Sequence, residues 1–341
     1  MFTDLIFNTA GHIGTITLNR PTTLNALTWS MIKALQEKLL QWQTDHNIHA
    51  VVIKANPGKA FCAGGDVRWL YKAGLAKDQD QLNFFRHEYN LNYFISQLNK
   101  PYIAMMDGIT MGGGVGISLH GAYPIASEHF VFAMPETGIG FFPDIGASFL
   151  LTRLPEPIGV YLGLTGRHLA MQDAYSLGLI KYIIPAAVFT PFLNTLSEID
   201  LSINRQQRIS DCIQKFAITP TTSIISSELD NIKLFFKYQR LEEIFNALNK
   251  DGGIWATTTL QTLMKKSPLS LKITLAQLQK AKTMSLAECL AMDYCLVAHF
   301  MRGNDFYEGV RALLIDQDKC PHWQPNDLAL VSNTLVEQYF H

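Results

Sequence analysis

The sequence predicts an α/β domain followed by a mainly α-helical region. Three observations carry this: short β-branched runs alternate with amphipathic stretches, glycine-led turns separate them, and strand signals fade beyond Pro185. The α/β part occupies roughly the first 200 residues.

The elements follow in order. Ile13 to Leu18 and Ala50 to Lys54 read as strands around a helix-like stretch, Ser30 to Thr44, which sets a βαβ rhythm. PYIAMMDG reads as a buried strand, GGGVGISLHGA as a glycine-led helix, HFVFAMP as a strand and GASFLLTRL as a helix. Apolar residues recur at helical spacing in Thr222 to Leu248 and in Leu269 to Met301. DQDKCPHWQP reads as a loop bracketed by Pro321 and Pro325.

Composition narrows the classes of function. With 28 basic and 29 acidic residues, no bulk field favours nucleic acid or an anionic membrane, so neither is expected as a partner. Five cysteines, an odd number without a C-x-x-C pair, argue against a disulfide framework and a zinc site, and fit a reducing compartment. The opening residues lack a signal- or transit-peptide pattern, which makes the cytoplasm the expected location. Apolar stretches are cut by Asp107, by glycines or by prolines before reaching the length of a membrane span.

Several glycine and histidine patterns fail when tested. Ile117 stands where a dinucleotide fingerprint needs its third glycine, and no Gly-Lys-Ser/Thr follows for a P-loop. Neither Ser118 nor Ser148 lies between glycines spaced for a nucleophile elbow. His46, His49 and the His87–Glu88 pair lack the rest of a metal-ligand set, so no metal is expected.

Two glycine loops survive, AFCAGGDVRWL around Gly65 and GITMGGGVGISLHG around Gly113. Backbone amides at such turns can stabilise the charge that a thioester carbonyl gains on attack. The plainer reading is that the glycines permit tight turns and close helix–strand packing. Downstream, FAMPETGIGFFPDIG carries Glu136 and Asp144 amid apolar residues and glycines, which raises a carboxylate's affinity for protons and suits acid–base work. For Asp144 the alternative is an ordinary N-cap of the helix beginning at Ile145. Glu88, in the helical segment Gln81 to Leu98, shares a face with Phe84, Leu91 and Ile95. A buried glutamate there needs a partner, such as a ligand hydroxyl or an arginine, with Arg86 nearest in sequence but on another face. Phe141, Phe142 and Trp69 either line an acyl pocket or belong to the core.

Through LNRPTTLNAL, KAFCAGGD, GGGVG and PETGIGFFPD the chain resembles the crotonase (enoyl-CoA hydratase/isomerase) superfamily. It is more similar still to the 3-hydroxyisobutyryl-CoA hydrolase subgroup, through FFRHEYNLN, KPYIAMMDGITMGGGVG, FAMPETGIGFFPDIG, SPLSLKIT and MRGNDFYEGVRALLIDQDKCPHWQP. The resemblance implies a crotonase-like spiral of ββα units, with residues 1–200 as the acyl-CoA-binding catalytic core. Residues 201–341 would be a helical region completing or covering the site. It further implies an oxyanion hole from the amides of Gly65 and Gly113, catalytic Glu136 and Asp144, and acyl contact by Glu88. Ala63 would meet the adenine and Arg68 the CoA phosphate. Coenzyme A is then part of the substrate, no separate cofactor is expected, and a homo-oligomer is compatible with the sequence.

Two departures from the hydratase pattern bear on the reaction. Of the two glutamates that hydratases use, one falls on Gly116, and the glycine that hydratases carry eight residues after the other, here Glu136, falls on Asp144. This favours hydrolysis over hydration. Thr22 replaces a lysine that reaches CoA phosphate in many relatives. The leading expectation is acyl-CoA hydrolysis in valine breakdown, with Glu136 activating water or attacking directly. The alternatives are an enoyl-CoA isomerase or dehydratase, and a non-catalytic acyl-CoA- or RNA-binding scaffold.

Overall fold

Runs such as Ala50 to Ile53 and Tyr102 to Met106 are apolar at every position, the pattern of parallel strands covered on both faces. In the computed structural model, which describes residues 4–220 and 223–341, they lie in the middle of a sheet. Its strands are β1 (Leu5–Ala10), β2 (Ile13–Leu18), β3 (Ala50–Ala55), β5 (Tyr102–Met106), β7 (Tyr123–Ala126) and β10 (Tyr182–Ile183). They are ordered β1-β2-β3-β5-β7-β10, with β1 antiparallel to β2 and the others parallel. A smaller sheet is built from β4 (Ala60–Cys62), β6 (Ile109–Met111), β8 (Val131–Ala133) and β9 (Leu169–Ala170), in that order.

Helix α1 (Trp29–Thr44) begins where the Thr28 hydroxyl accepts the Met31 N–H, and it buries Met31, Ile32, Leu35, Leu39 and Trp42 at helical spacing. Helices α2 (Val67–Leu75) and α3 (Asp80–Ser96) follow β4, and α4 (Gly113–Gly116) follows β6. The expected glycine-led helix is therefore a single turn. α5 (Ala147–Leu151) and α6 (Ile158–Thr165) come after β8.

Beyond Ile183 the described residues contain no strand. The helix Pro268–Ala281 starts with Ser267 as N-cap and proline at its first position, and Leu286–Phe300 starts with a Ser285–Glu288 capping box. The expected stretch Thr222 to Leu248 resolves into two helices, Leu229–Phe235 and Leu241–Asp251, while Thr222 itself lies outside the described residues. No helix among the described residues is long and apolar enough to cross a membrane.

The chain groups into two compact units interleaved in sequence. The first takes residues up to Gly65, then Asn90–Phe132 and Leu169–Ile224. Ile13, Val52, Ile103, Met105 and Ile125 of its larger sheet share a core with Phe192, Leu196, Ile209 and Ile213. The second takes Asp66–Tyr89, Ala133–His168 and Ile225–His341. An aromatic cluster marks its core: Phe141 lies 4.6–5.8 Å, centroid to centroid, from Phe85, Phe142, Phe300 and Phe306. Phe141 and Phe142 are thus core residues. Trp69 meets Phe84 at 5.9 Å.

Candidate active site

In the first unit both glycine loops are tight turns at the ends of short strands. After β4 the chain passes Ala63 and Gly64, whose φ of +114° is reserved in practice for glycine. The Ala63 N–H donates to the Leu24 carbonyl at 3.0 Å and the Leu27 N–H to the Gly64 carbonyl at 2.8 Å, while Gly65 bridges Leu27. After β6, Gly112 turns the chain at φ +46° into α4, whose first residue is Gly113. The two turns abut, because a Cβ on Gly64 would lie 3.7 Å from the Gly113 nitrogen. Gly114 answers to packing, since a Cβ there would come within 2.1 Å of the Cys62 carbonyl oxygen. Gly65 and Gly113, the expected oxyanion donors, therefore sit on adjoining turns.

The second unit gathers the three carboxylates. Glu136 opens the 3-10 turn Glu136–Ile139, Asp144 follows in the same segment, and Glu88 comes from α3. All three are buried, with 7%, 6% and 2% of their surface exposed. Glu88 lies on a buried stripe with Phe84, Leu91 and Ile95, as the spacing requires. Burial raises the proton affinity of each acid. The neighbouring charge of Asp144 raises Glu88 and Glu136 further. Asp144 itself is pushed up to about 7 by burial, against the pull of the Tyr89 hydroxyl, which donates to its Oδ2 at 2.7 Å. Glu136 Oε2 and Glu88 Oε1 have no hydrogen-bond partner.

Asp144 is not a helix cap. α5 begins at Ala147 with Gly146 as its N-cap and no side-chain cap. The loop that carries Asp144 is unusual, because Ile145 has φ +55° and Gly146 φ +72°. A β-branched residue in the left-handed region is a rare conformation that surrounding contacts must hold. Two side chains from the C-terminal helices supply them. Asp293 Oδ2 accepts the Gly146 N–H at 2.8 Å, and Gln277 Nε2 donates to the Pro143 carbonyl at 2.9 Å and to Asp293 Oδ1 at 2.8 Å.

Arg68 stands exposed in the first turn of α2. Arg86 is no partner for Glu88, since its guanidinium donates to the Tyr294 hydroxyl at 2.9 Å. Sequence reasoning missed Tyr89, Gln277 and Asp293. Asp293 carries the signal that exposed Glu88, a lone acid on the apolar face of a helix with Cys289, Leu290, Leu296 and Val297. Tyr89 offered no such signal, because a buried tyrosine is ordinary until its acceptor is known.

A family model described as enoyl-CoA hydratase/isomerase matches residues 13–340. The chain belongs to this family, the crotonases. Curated crotonase relatives named "3-hydroxyisobutyryl-CoA hydrolase, mitochondrial" include that of Xenopus tropicalis, at 41% identity over 99% of this chain and 88% of the relative. The Homo sapiens protein of that name is 40% identical with the same coverage. Among solved structures, a carnitinyl-CoA dehydratase from Mycobacterium thermoresistibile superposes with TM-score 0.91 at 31% identity, covering 99% of this chain and 96% of that one. An enoyl-CoA hydratase from Rhodobacter sphaeroides does so with TM-score 0.91 at 34%, covering 99% and 97%. The crotonase fold expected from the motifs is thereby established.

The expectation of a cytoplasmic location is corrected by these relatives, whose names place them in mitochondria. Cysteine usage reports only the redox state of a compartment, and reducing conditions do not single out the cytoplasm.

Proposed function

We propose that this crotonase hydrolyses acyl-CoA thioesters and that 3-hydroxyisobutyryl-CoA is its substrate. The observation that carries the reading is 40–41% identity, over 99% of the chain, to proteins named for that reaction. Gly116, where hydratases place a second acid, supports the same choice.

Water adds to the thioester carbonyl, the C–S bond breaks, and the acid and the free thiol of coenzyme A leave. Gly65 and Gly113 amides stabilise the oxyanion, a task that fixed backbone donors perform without reorganising. Glu136 delivers the oxygen nucleophile, either by deprotonating that water or by attacking the carbonyl itself, in which case CoA thiolate leaves as a mixed anhydride forms and water then hydrolyses the anhydride to free the acid and Glu136. A carboxylate whose burial raises its pKa well above the usual range holds a proton at neutral pH more readily than an exposed one, which suits acid–base exchange. Asp144 and Glu88 face the acyl hydroxyl, Arg68 meets CoA phosphate and Ala63 the adenine. Coenzyme A enters only as part of the substrate, without a further cofactor.

A second reading, water addition or removal across a double bond, is favoured by the names of the two structures that superpose at TM-score 0.91. Incubation with a panel of acyl-CoAs separates the two. Free thiol released from 3-hydroxyisobutyryl-CoA is expected, and hydration of crotonyl-CoA without thiol release would overturn the hydrolase reading.

A further inference from the structure

Asn92 is fully buried on α3, yet neither its Nδ2 nor its Oδ1 has a hydrogen-bond partner. Leaving both ends of a carboxamide unpaired away from water is costly, so a group in that state calls for a partner from outside the chain. Its position suggests what that is. A Cβ on Gly116 would come within 2.6 Å of Asn92 Nδ2 and 2.9 Å of Oδ1, so the carboxamide fills the space that a side chain at 116 would enter. Hydratases place their second acid there. Gly116 belongs to α4, three residues after the expected oxyanion donor Gly113. The neighbouring backbone gives Asn92 little to bind: the Gly114 carbonyl already accepts from Ser118, and the Ile117 carbonyl from Tyr102. One turn earlier on α3, Glu88 Oε1 is also without a partner.

We propose that Asn92 is a specificity-determining residue whose carboxamide pairs with the hydroxyl group of the acyl chain. The inference rests on the hydrolase reading above. A hydroxyl both donates and accepts, and a carboxamide is complementary to it in both roles; a carboxylate can only accept unless protonated. The amide also does not ionise near neutral pH, so the position that serves acid–base chemistry in hydratases here serves recognition alone. A site built to pair a hydroxyl rejects the analogue lacking it, because the buried amide is then left unpaired.

The test uses Asn92→Leu, which keeps the branched heavy-atom shape and removes both polar atoms, and compares kcat/KM for 3-hydroxyisobutyryl-CoA with that for isobutyryl-CoA. The ratio of the two is expected to fall at least ~10-fold from its parental value. Relief of an unpaired buried amide raises the apparent melting temperature and the bulkier methyl groups lower it, so the ratio of the two kcat/KM values, not stability, is the deciding readout. Gly116→Ala provides a second route if Asn92→Leu prevents folding: its Cβ displaces the carboxamide while Asn92 remains, and the ratio should fall again. Variants that lose activity on both substrates in proportion, or that keep the parental ratio, overturn the role of Asn92 alone. A parent enzyme that releases no thiol from either substrate overturns the hydrolase reading, and the role of Asn92 with it.

Discussion

The Tyr89 hydroxyl donates to Asp144 Oδ2 at 2.7 Å, joining α3 to a loop 55 residues further along the chain. This bond favours the charged form of Asp144, in opposition to burial, and on balance its pKa is pushed up to about 7. Tyr89→Phe deletes the donor with little change of shape. The pKa of Asp144 should therefore move upward, and with it the acid limb of the kcat/KM profile, provided Asp144 must be ionised. A limb that stays in place, measured from pH 5 to 9, would separate Tyr89 from the titration of Asp144.

Glu136→Gln keeps size and removes the ionisable oxygen, so turnover should drop at least ~100-fold while CoA affinity is largely retained. Thiol release and calorimetric CoA binding measure the two effects separately. In the parent enzyme, a single turnover in ¹⁸O-water followed by peptide mass spectrometry tests the nucleophilic route: label in Glu136 marks it as the nucleophile, since direct attack by water leaves Glu136 unlabelled.

The same substitution makes a stability prediction whose sign follows from burial. Glu136 has a folded-state pKa raised well above its ordinary value. Between those two values the folded protein holds a proton that the unfolded chain has lost, so stability falls as pH rises through that window. Glu136→Gln removes this loss. Urea denaturation should find the variant gaining more over its parent at pH 8 than at pH 5, and an equal difference at both would contradict the raised pKa.

Asp293→Ala should destabilise the protein by about 1–3 kcal/mol, because it leaves the buried Gly146 N–H unpaired. It also frees a loop whose Ile145 is held at φ +55°. Activity should fall more than stability alone accounts for when measured at a temperature where the variant is fully folded. Wild-type turnover there would show that the Asp144 loop keeps its conformation without this contact.

Gly116→Glu should not produce a hydratase. Its side chain would meet the Asn92 carboxamide at once, and overpacking of this kind costs about 1–3 kcal/mol. Crotonyl-CoA hydration by this variant, followed at the enoyl absorbance, would show that the missing acid was the sole barrier to hydration.

The α/β start, the helical C-terminal region, the buried stripe through Glu88 and the candidate acids Glu136 and Asp144 are legible in the sequence. These are local: periodicity 2 or 3.6 and an acid among apolar residues show within a short window. Tertiary structure alone decided that Asp144 is not a helix cap, that Tyr89 donates to it, and that Gln277 and Asp293 hold its loop. It also decided that the two units interleave along the chain and that Asn92 fills the space beside Gly116. The physical reason is that hydrogen bonds and close contacts join residues far apart in sequence. Asp293 reaches Gly146 across 147 positions, and no spacing rule encodes a partner that distant. What remains visible beforehand is the need for one: a buried polar atom must be paired, by the fold or by what the fold binds.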